Sequence, residues 1–174
     1  MSYLIISCSL NPDSKSRILA KHLAKILDEK NVEHTLLDLK NMKLPFCDGD
    51  SVYGNSEVQK LREQVGNAKG IIIASPIYNF DVNAVAKNMI ELTGKAWTEK
   101  VVGFLCAAGG KSSYMSVMSV ANSLMLDFRC LIIPRFVYAV EDDFSSDNVT
   151  NDEVIERIEE LVGKLVGLTS NPKK

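Results

Sequence analysis

Residues 70–75 read GIIIAS, and this short run decides the fold. In an extended strand successive side chains point to opposite faces, so Ile71 and Ile73 lie on one side and Ile72 and Ala74 on the other. Both sides are apolar. A strand with one wet face would alternate apolar with polar residues, whereas a strand apolar on both faces needs cover on both, as at the centre of a parallel sheet flanked by helices.

Upstream of this run, Tyr3 to Cys8 reads as a first strand, and from Ser14 the residues Ile18, Leu19, Leu23, Ile26 and Leu27 recur on one helical face while Lys21, Lys25 and Asp28 face away. Glu33 to Leu39 supplies a second strand. Pro45 and the stretch Gly49 to Asn55 break the periodicity before Val58, Leu61, Val65 and Ala68 mark a second helix. Downstream, Val82, Val85, Ala86, Met89 and Leu92 predict a third helix ending near Gly94. Val101 to Ala107 forms a fourth strand, Ser112 to Phe128 a fourth helix, Cys130 to Ile133 with its continuation to Val140 a fifth strand, and Val154 to Val166 a last helix. Strand and helix alternate throughout. Parallel strands require crossovers, and crossovers are right-handed, so the pattern predicts an α/β fold of three layers: a doubly wound, five-stranded parallel sheet in the flavodoxin-like order 2-1-3-4-5. Residues 1–168 are expected to form a single domain and residues 169–174 a polar tail.

Composition narrows the function. Of 174 residues 46% are hydrophobic, and 20 basic residues against 22 acidic leave a formal charge of −2, without the basic stripe that nucleic acid requires. The apolar stretch at Tyr3 to Ile6 is too short for a secretory signal, and no run approaches a membrane span; the expectation is a cytoplasmic protein with no membrane partner. Cys8, Cys47, Cys106 and Cys130 form no CxxC pair and read as reduced thiols, mostly core. His22 and His34 lack neighbours at ligand spacing and read as surface or helix-flank residues, so no metal site is expected. Met115, Met118 and Met125, at helical spacing, read as packing.

In a doubly wound sheet ligands bind at the carboxyl ends of the strands, which brings the loops after the first, third and fourth strands to one rim. The first loop, SCSLNPDSKS at 7–16, crowds small hydroxyl and amide residues before a helix whose N-terminal N–H groups and dipole suit a phosphate. Ser9, Asn11, Ser14 and Ser16 fit that role, and a ligand-free N-cap at Asp13 or Ser14 accounts for the same residues. The second loop, SPIYNFDVN at 75–83, has Pro76 at a strand exit, amides from Ile77 to Phe80 that can face a planar ring, and the aromatics Tyr78 and Phe80 where a loop tip is ordinarily polar. Aromatics covering the sheet edge, or meeting another subunit, are the competing readings. The third loop, CAAGGKSSYMS at 106–116, places Ala107, Ala108, Gly109 and Gly110 in a row at a strand end, which permits close approach of a ligand to the backbone.

Together the three loops resemble the NAD(P)H-dependent FMN reductase family, which includes quinone and azo reductases. Its first-loop pattern is approximately G-S-x-R-x-x-S-x-N and its second approximately P-E-Y-N-G. Ser9 and Ser14 match the serines, Pro76, Tyr78 and Asn79 match the second motif, and Gly109 and Gly110 look like the glycine pair of the third loop. Asn11 stands where the family has an arginine, Ser16 where it has asparagine, Ile77 replaces the glutamate and Phe80 the glycine. The resemblance implies bound FMN, with NADPH or NADH as transient hydride donor and a quinone, azo compound, free flavin or similar small molecule as acceptor. It implies a cofactor-binding set of Ser9, Asn11, Ser14, Lys15 and Ser16 with Pro76, Ile77, Tyr78, Asn79 and Phe80, and with Ala108, Gly109, Gly110 and Ser113. Lys15 or Arg17 would supply the missing cation, and Tyr78 or Phe80 would flank the ring. No side-chain acid or base is required, and a homodimer or homotetramer is implied. A flavodoxin-type electron carrier and a cofactor-poor, non-enzymatic member of the same fold are the alternatives.

Overall fold

Residues 2–170 are described by a computed structural model. In chain order the elements are β1 (Tyr3–Ser7), α1 (Lys15–Glu29), β2 (His34–Asp38), α2 (Ser56–Asn67), β3 (Ile71–Tyr78), β4 (Asp81–Val82), α3 (Ala84–Thr93), β5 (Val101–Ala108), α4 (Met118–Phe128), β6 (Leu131–Ile132), β7 (Val137–Val140), β8 (Phe144–Ser145), β9 (Asn148–Val149) and α5 (Asp152–Ser170). The alternation within GIIIAS is realised as expected. Ile71 and Ile73 pack with Leu4, Ile6, Phe104 and Cys106 in the layer under α2, α3 and α4, whereas Ile72 and Ala74 pack with Tyr3, Ile5, Leu105 and Ala107 in the layer under α1 and α5. Two cores, one on each face, follow from one strand pattern.

The sheet runs β2-β1-β3-β5, with the last position shared by β6 and β7, and these pairings are all parallel. This is the predicted order once the short hairpin strand β4 is set aside. The fifth strand is broken in two: Ile132 pairs with Val102 and Val137 with Leu105, so this strand carries two more residues than β5 across the gap, which contains Pro134 and the positive-φ Arg135. Proline without an N–H and a left-handed residue cannot continue a ladder.

Several element ends differ from expectation. The third strand does not stop at Pro76 but continues to Tyr78, and β4 folds back against it, so Val82 lies in a strand. In β3 the carbonyl of Ala74 accepts from Cys8 N–H on the β1 side, and Pro76, two residues on, faces the same side beyond the end of β1; its missing N–H removes no ladder bond. Residues Lys111–Val117 form a 3-10 turn before α4, so the fourth helix begins later than Ser112. Met118 packs against the core, but Met115 and Met125 are exposed and not packing residues. The last helix extends through Ser170, so the expected tail opens as helix, with the Thr169 hydroxyl 2.6 Å from the Tyr3 hydroxyl; residues 171–174 lie outside the described residues.

Gly103, in the middle of β5, shows how tightly α5 sits. A Cβ there would stand 2.7 Å from Leu161 Cδ1 and 2.9 Å from Ile72 Cδ1. The helix approaches the sheet because this residue has no side chain. All four cysteines are free, and Cys8 and Cys106 are fully buried.

Candidate functional site

The carboxyl ends of β1, β3 and β5 open into a cleft of about 630 Å³. It is lined by Ser9, Asn11, Ser14, Lys15 and Ser16 from the first loop, Pro76, Ile77 and Tyr78 from the second, and Ala107, Ala108 and Gly109 from the third. Three loops chosen from sequence thus meet in one place. Of the fourteen candidate residues, Asn79, Phe80, Gly110 and Ser113 do not line it.

The first loop is held from behind by Arg17. Its guanidinium donates through Nε to Asp38 Oδ2 (2.7 Å) and through Nη2 to Asp38 Oδ1 (3.3 Å). Nη2 also donates to the Ser9 carbonyl (2.7 Å), and Nη1 donates to the carbonyls of Asn11 (2.7 Å) and Pro12 (3.2 Å). A guanidinium has five N–H donors, and all of them are used here. Arg17, which also lines the cleft, fixes the path of the loop by taking up its carbonyls. Asp38, at the end of β2, anchors the arrangement to the sheet.

Ser14, not Asp13, is the N-cap of α1: its hydroxyl accepts from Arg17 N–H at 3.1 Å and lies 3.0 Å from the Ser16 hydroxyl. That leaves the first-turn amides of Lys15 and Ser16 without acceptors inside the helix. Asn11 makes an Asx turn, its Oδ1 accepting from Asp13 N–H at 3.0 Å, and Ser9 Oγ accepts from Asn11 N–H at 3.3 Å. Lys15 Nζ sits 3.3 Å from Glu141 Oε1 and 5.4 Å from the centre of the Phe144 ring. Exposed ion pairs of this kind contribute little, so Lys15 can exchange its carboxylate for a stronger anion.

A buried amide joins the first two loops. Asn83 Nδ2 donates to the Cys8 carbonyl at 2.8 Å, and its Oδ1 accepts from Ser75 Oγ (3.1 Å) and caps α3 through Ala86 N–H (3.2 Å). The end of β1, the end of β3 and the start of α3 thus share one side chain. Beneath them the Cys8 thiol is pushed far up by burial and, second, by the Asp38 carboxylate, and burial alone does the same to Cys106. Neither thiol is a nucleophile at neutral pH.

Ser113 serves the third loop itself: its hydroxyl is 2.7 Å from the Tyr138 hydroxyl, which donates to the Gly110 carbonyl. Gly110 is extended at φ −164, and a Cβ on Gly109 or Gly110 would meet nothing within 4 Å. Packing therefore requires neither glycine, and of the two only Gly109 lines the cleft.

Sequence reasoning missed the fourth wall. Glu141, Ser146 and Asp147 line the cleft from the segment after β7, where β8 and β9 form a hairpin with Ser146 and Asp147 at its tip. The signal was present as Phe144 and Val149 flanking a polar Ser-Asp-Asn turn. Pro12, Asp13, Ile18 and Lys21 also line the cleft.

A doubly wound parallel sheet whose strand ends converge on a cleft bordered by the N-terminus of the first helix defines a protein of flavodoxin-like architecture with its ligand site at the strand ends. Comparison with known proteins makes the assignment narrower. Residues 1–145 match the NADPH-dependent FMN reductase family, and the chain belongs to that family of oxidoreductases. It is 33% identical over 139 residues to an NAD(P)H-dependent FAD/FMN reductase of Geobacillus thermodenitrificans, covering 78% of this chain and 75% of that protein. It is 24% identical over 139 residues to an NADPH azoreductase of Bacillus sp. strain OY1-2, covering 79% and 75%. In architecture it is similar to the flavoenzyme NAD(P)H:(acceptor) oxidoreductase FerB of Paracoccus denitrificans, with a TM-score of 0.80 at 17% identity over 97% of both chains.

The residues present fit FMN. The first loop offers free amides, three serine hydroxyls and a releasable lysine for a phosphate, and the cleft volume falls within the range of cofactor sites. Among the described residues no helix is long and apolar enough to cross a membrane.

Proposed function

We propose that this chain binds FMN in the cleft and works as an NAD(P)H-dependent oxidoreductase toward a small electron-poor acceptor such as a quinone, an azo compound or free flavin. For a quinone the net exchange is NAD(P)H, a proton and quinone giving NAD(P)⁺ and hydroquinone. When bound, FMN supplies the two-electron chemistry, accepting hydride and returning electrons. The chain's part is binding and orientation. Ser9, Ser14 and Ser16, the amides of Lys15 and Ser16, and the Lys15 ammonium hold the phosphate. Ile77 and Tyr78 border the ring on one side, and Ala108 and Gly109 on the other.

The observation that carries this reading is the junction of three separate loops on one cleft, with a first loop whose Ser9, Asn11 and Pro12 carbonyls are turned to Arg17 and whose helix amides are left for a ligand. A single-electron carrier is not favoured: the near-neutral charge of −2 lacks the acidic surface that steers protein partners. We further propose a homodimer or homotetramer in the cytoplasm, with the exposed Phe46 and Leu126 as candidates for a subunit contact. The test is an absorbance spectrum after incubation with FMN and desalting, followed by aerobic turnover with NADH and NADPH. A yellow protein that oxidises either nucleotide supports the reading. A colourless, inactive one overturns it.

A further inference from the structure

The hairpin between β3 and β4 turns in two residues, since Tyr78 pairs with Asp81, and both turn residues have positive φ: Asn79 at 51° and Phe80 at 64°. A tight connection of this type wants left-handed backbone at both central positions, and Asn-Gly is the preferred pair. Asparagine at the first position obeys the rule. Phenylalanine at the second breaks it, because a bulky Cβ in the left-handed region crowds the backbone.

Packing does not explain the choice, for the Phe80 side chain is 63% exposed. Nor can the turn relax easily. Its base is pinned by Asn83 to the Cys8 carbonyl, and the Asp81 carboxylate accepts from Ser119 Oγ of α4 at 2.6 Å. A strained backbone residue that gains nothing inside the fold points to a contact outside it. The place of that contact follows from continuity. Tyr78, two residues earlier on the same ribbon and itself 54% exposed, lines the cleft, and Phe80, outside the lining, is the exposed aromatic that follows it on the turn.

We propose that Phe80 is a specificity-determining residue that extends the aromatic wall begun by Tyr78 and selects planar, apolar electron acceptors. The inference rests on the flavin reading above and adds to it a residue that chooses among acceptors. A flat aromatic acceptor entering the cleft meets the phenyl ring on its way to the cofactor and buries apolar area against it, while a small hydrophilic oxidant gains nothing there.

The test compares the wild type with Phe80→Gly and, as the conservative rescue, Phe80→Tyr. Four quantities are measured: FMN uptake, melting temperature, the dissociation constant of 2-methyl-1,4-naphthoquinone for the oxidised protein by calorimetry without nucleotide, and the ratio of kcat/KM for that quinone to kcat/KM for ferricyanide. Phe80→Gly should retain FMN, melt no lower than wild type, bind the quinone about five- to tenfold more weakly and lower the ratio by a similar factor, with Phe80→Tyr restoring both. An unchanged ratio in Phe80→Gly overturns the inference and leaves the flavin reading standing. A lower melting temperature together with a split oligomer also overturns it, by assigning the ring to a subunit contact. A wild type that takes up no FMN overturns the flavin reading and this inference with it.

Discussion

Arg17 is the residue on which the first loop depends. Its five donors join α1, the end of β2 and three loop carbonyls, so its truncation leaves Asp38 and those carbonyls unpaired in a half-buried setting. Arg17→Ala should destabilise the fold by about 2 kcal/mol or more and weaken FMN binding, as followed by urea unfolding and flavin titration. Arg17→Lys should rescue neither, since an ammonium cannot reproduce the planar fork. Lys15 has the opposite character. Its exposed pair with Glu141 is replaceable, so Lys15→Met should lower FMN affinity on the order of tenfold. Glu141→Gln should raise the affinity by freeing the ammonium, an advantage that shrinks in high salt. An affinity unchanged by Lys15→Met would remove Lys15 from the phosphate site. Sequence placed both cations in the right loop but did not separate their roles, because the Asp38 partner is 21 residues away and its side chain meets Arg17 only in three dimensions.

At the level of elements, local pattern carried most of the fold and failed where tertiary contacts decide an end. The apolar faces of α1, α2 and α5 were readable because a 3.6-residue period survives any context. The extension of β3 past Pro76 was not, since proline is tolerated there only because β1 has already ended beside it. The break between β6 and β7 follows from Pro134 and Arg135, which the apolar flanks disguised as a single strand. The packing of α5 on the sheet makes its own prediction. Gly103→Ala should lower stability by about 1–3 kcal/mol in urea unfolding, because a methyl group there collides with Leu161 and Ile72. A neutral result would mean that α5 rides loosely on β5. Ser14 serves an element and the site together: Ser14→Ala should cost about 1 kcal/mol as a lost cap. It should also weaken FMN binding.

At the scale of the whole molecule, three buried thiols are held in the neutral form. Burial raises Cys8 and Cys106 far above the ordinary range and Cys130 to about 11. An unfolded cysteine ionises at about 8.5, so these groups leave stability unaffected below that pH. Stability should then fall as pH rises through 9 to 11, where the unfolded chain releases protons that the native state retains. Urea midpoints at neutral pH and at about pH 10 check this, and Cys130→Ala should lose part of the slope. In the native state at mild alkaline pH only Cys47, the half-buried thiol, should react promptly with a disulfide reagent.

The proposed function depends on an anion seat at the start of α1 joined to a space for a planar ring. The sequence pointed to the three loops that line the cleft, while the closing wall of Glu141, Ser146 and Asp147 came from a hairpin too short to stand out in the pattern. The most direct test is an equilibrium titration of the flavin-free protein with FMN and, in parallel, with riboflavin, which shares the ring but lacks the phosphate. The account predicts one-to-one binding of FMN at least about a hundredfold tighter than riboflavin, the worth of two or more charge-assisted hydrogen bonds. Equal affinities for the two would contradict it.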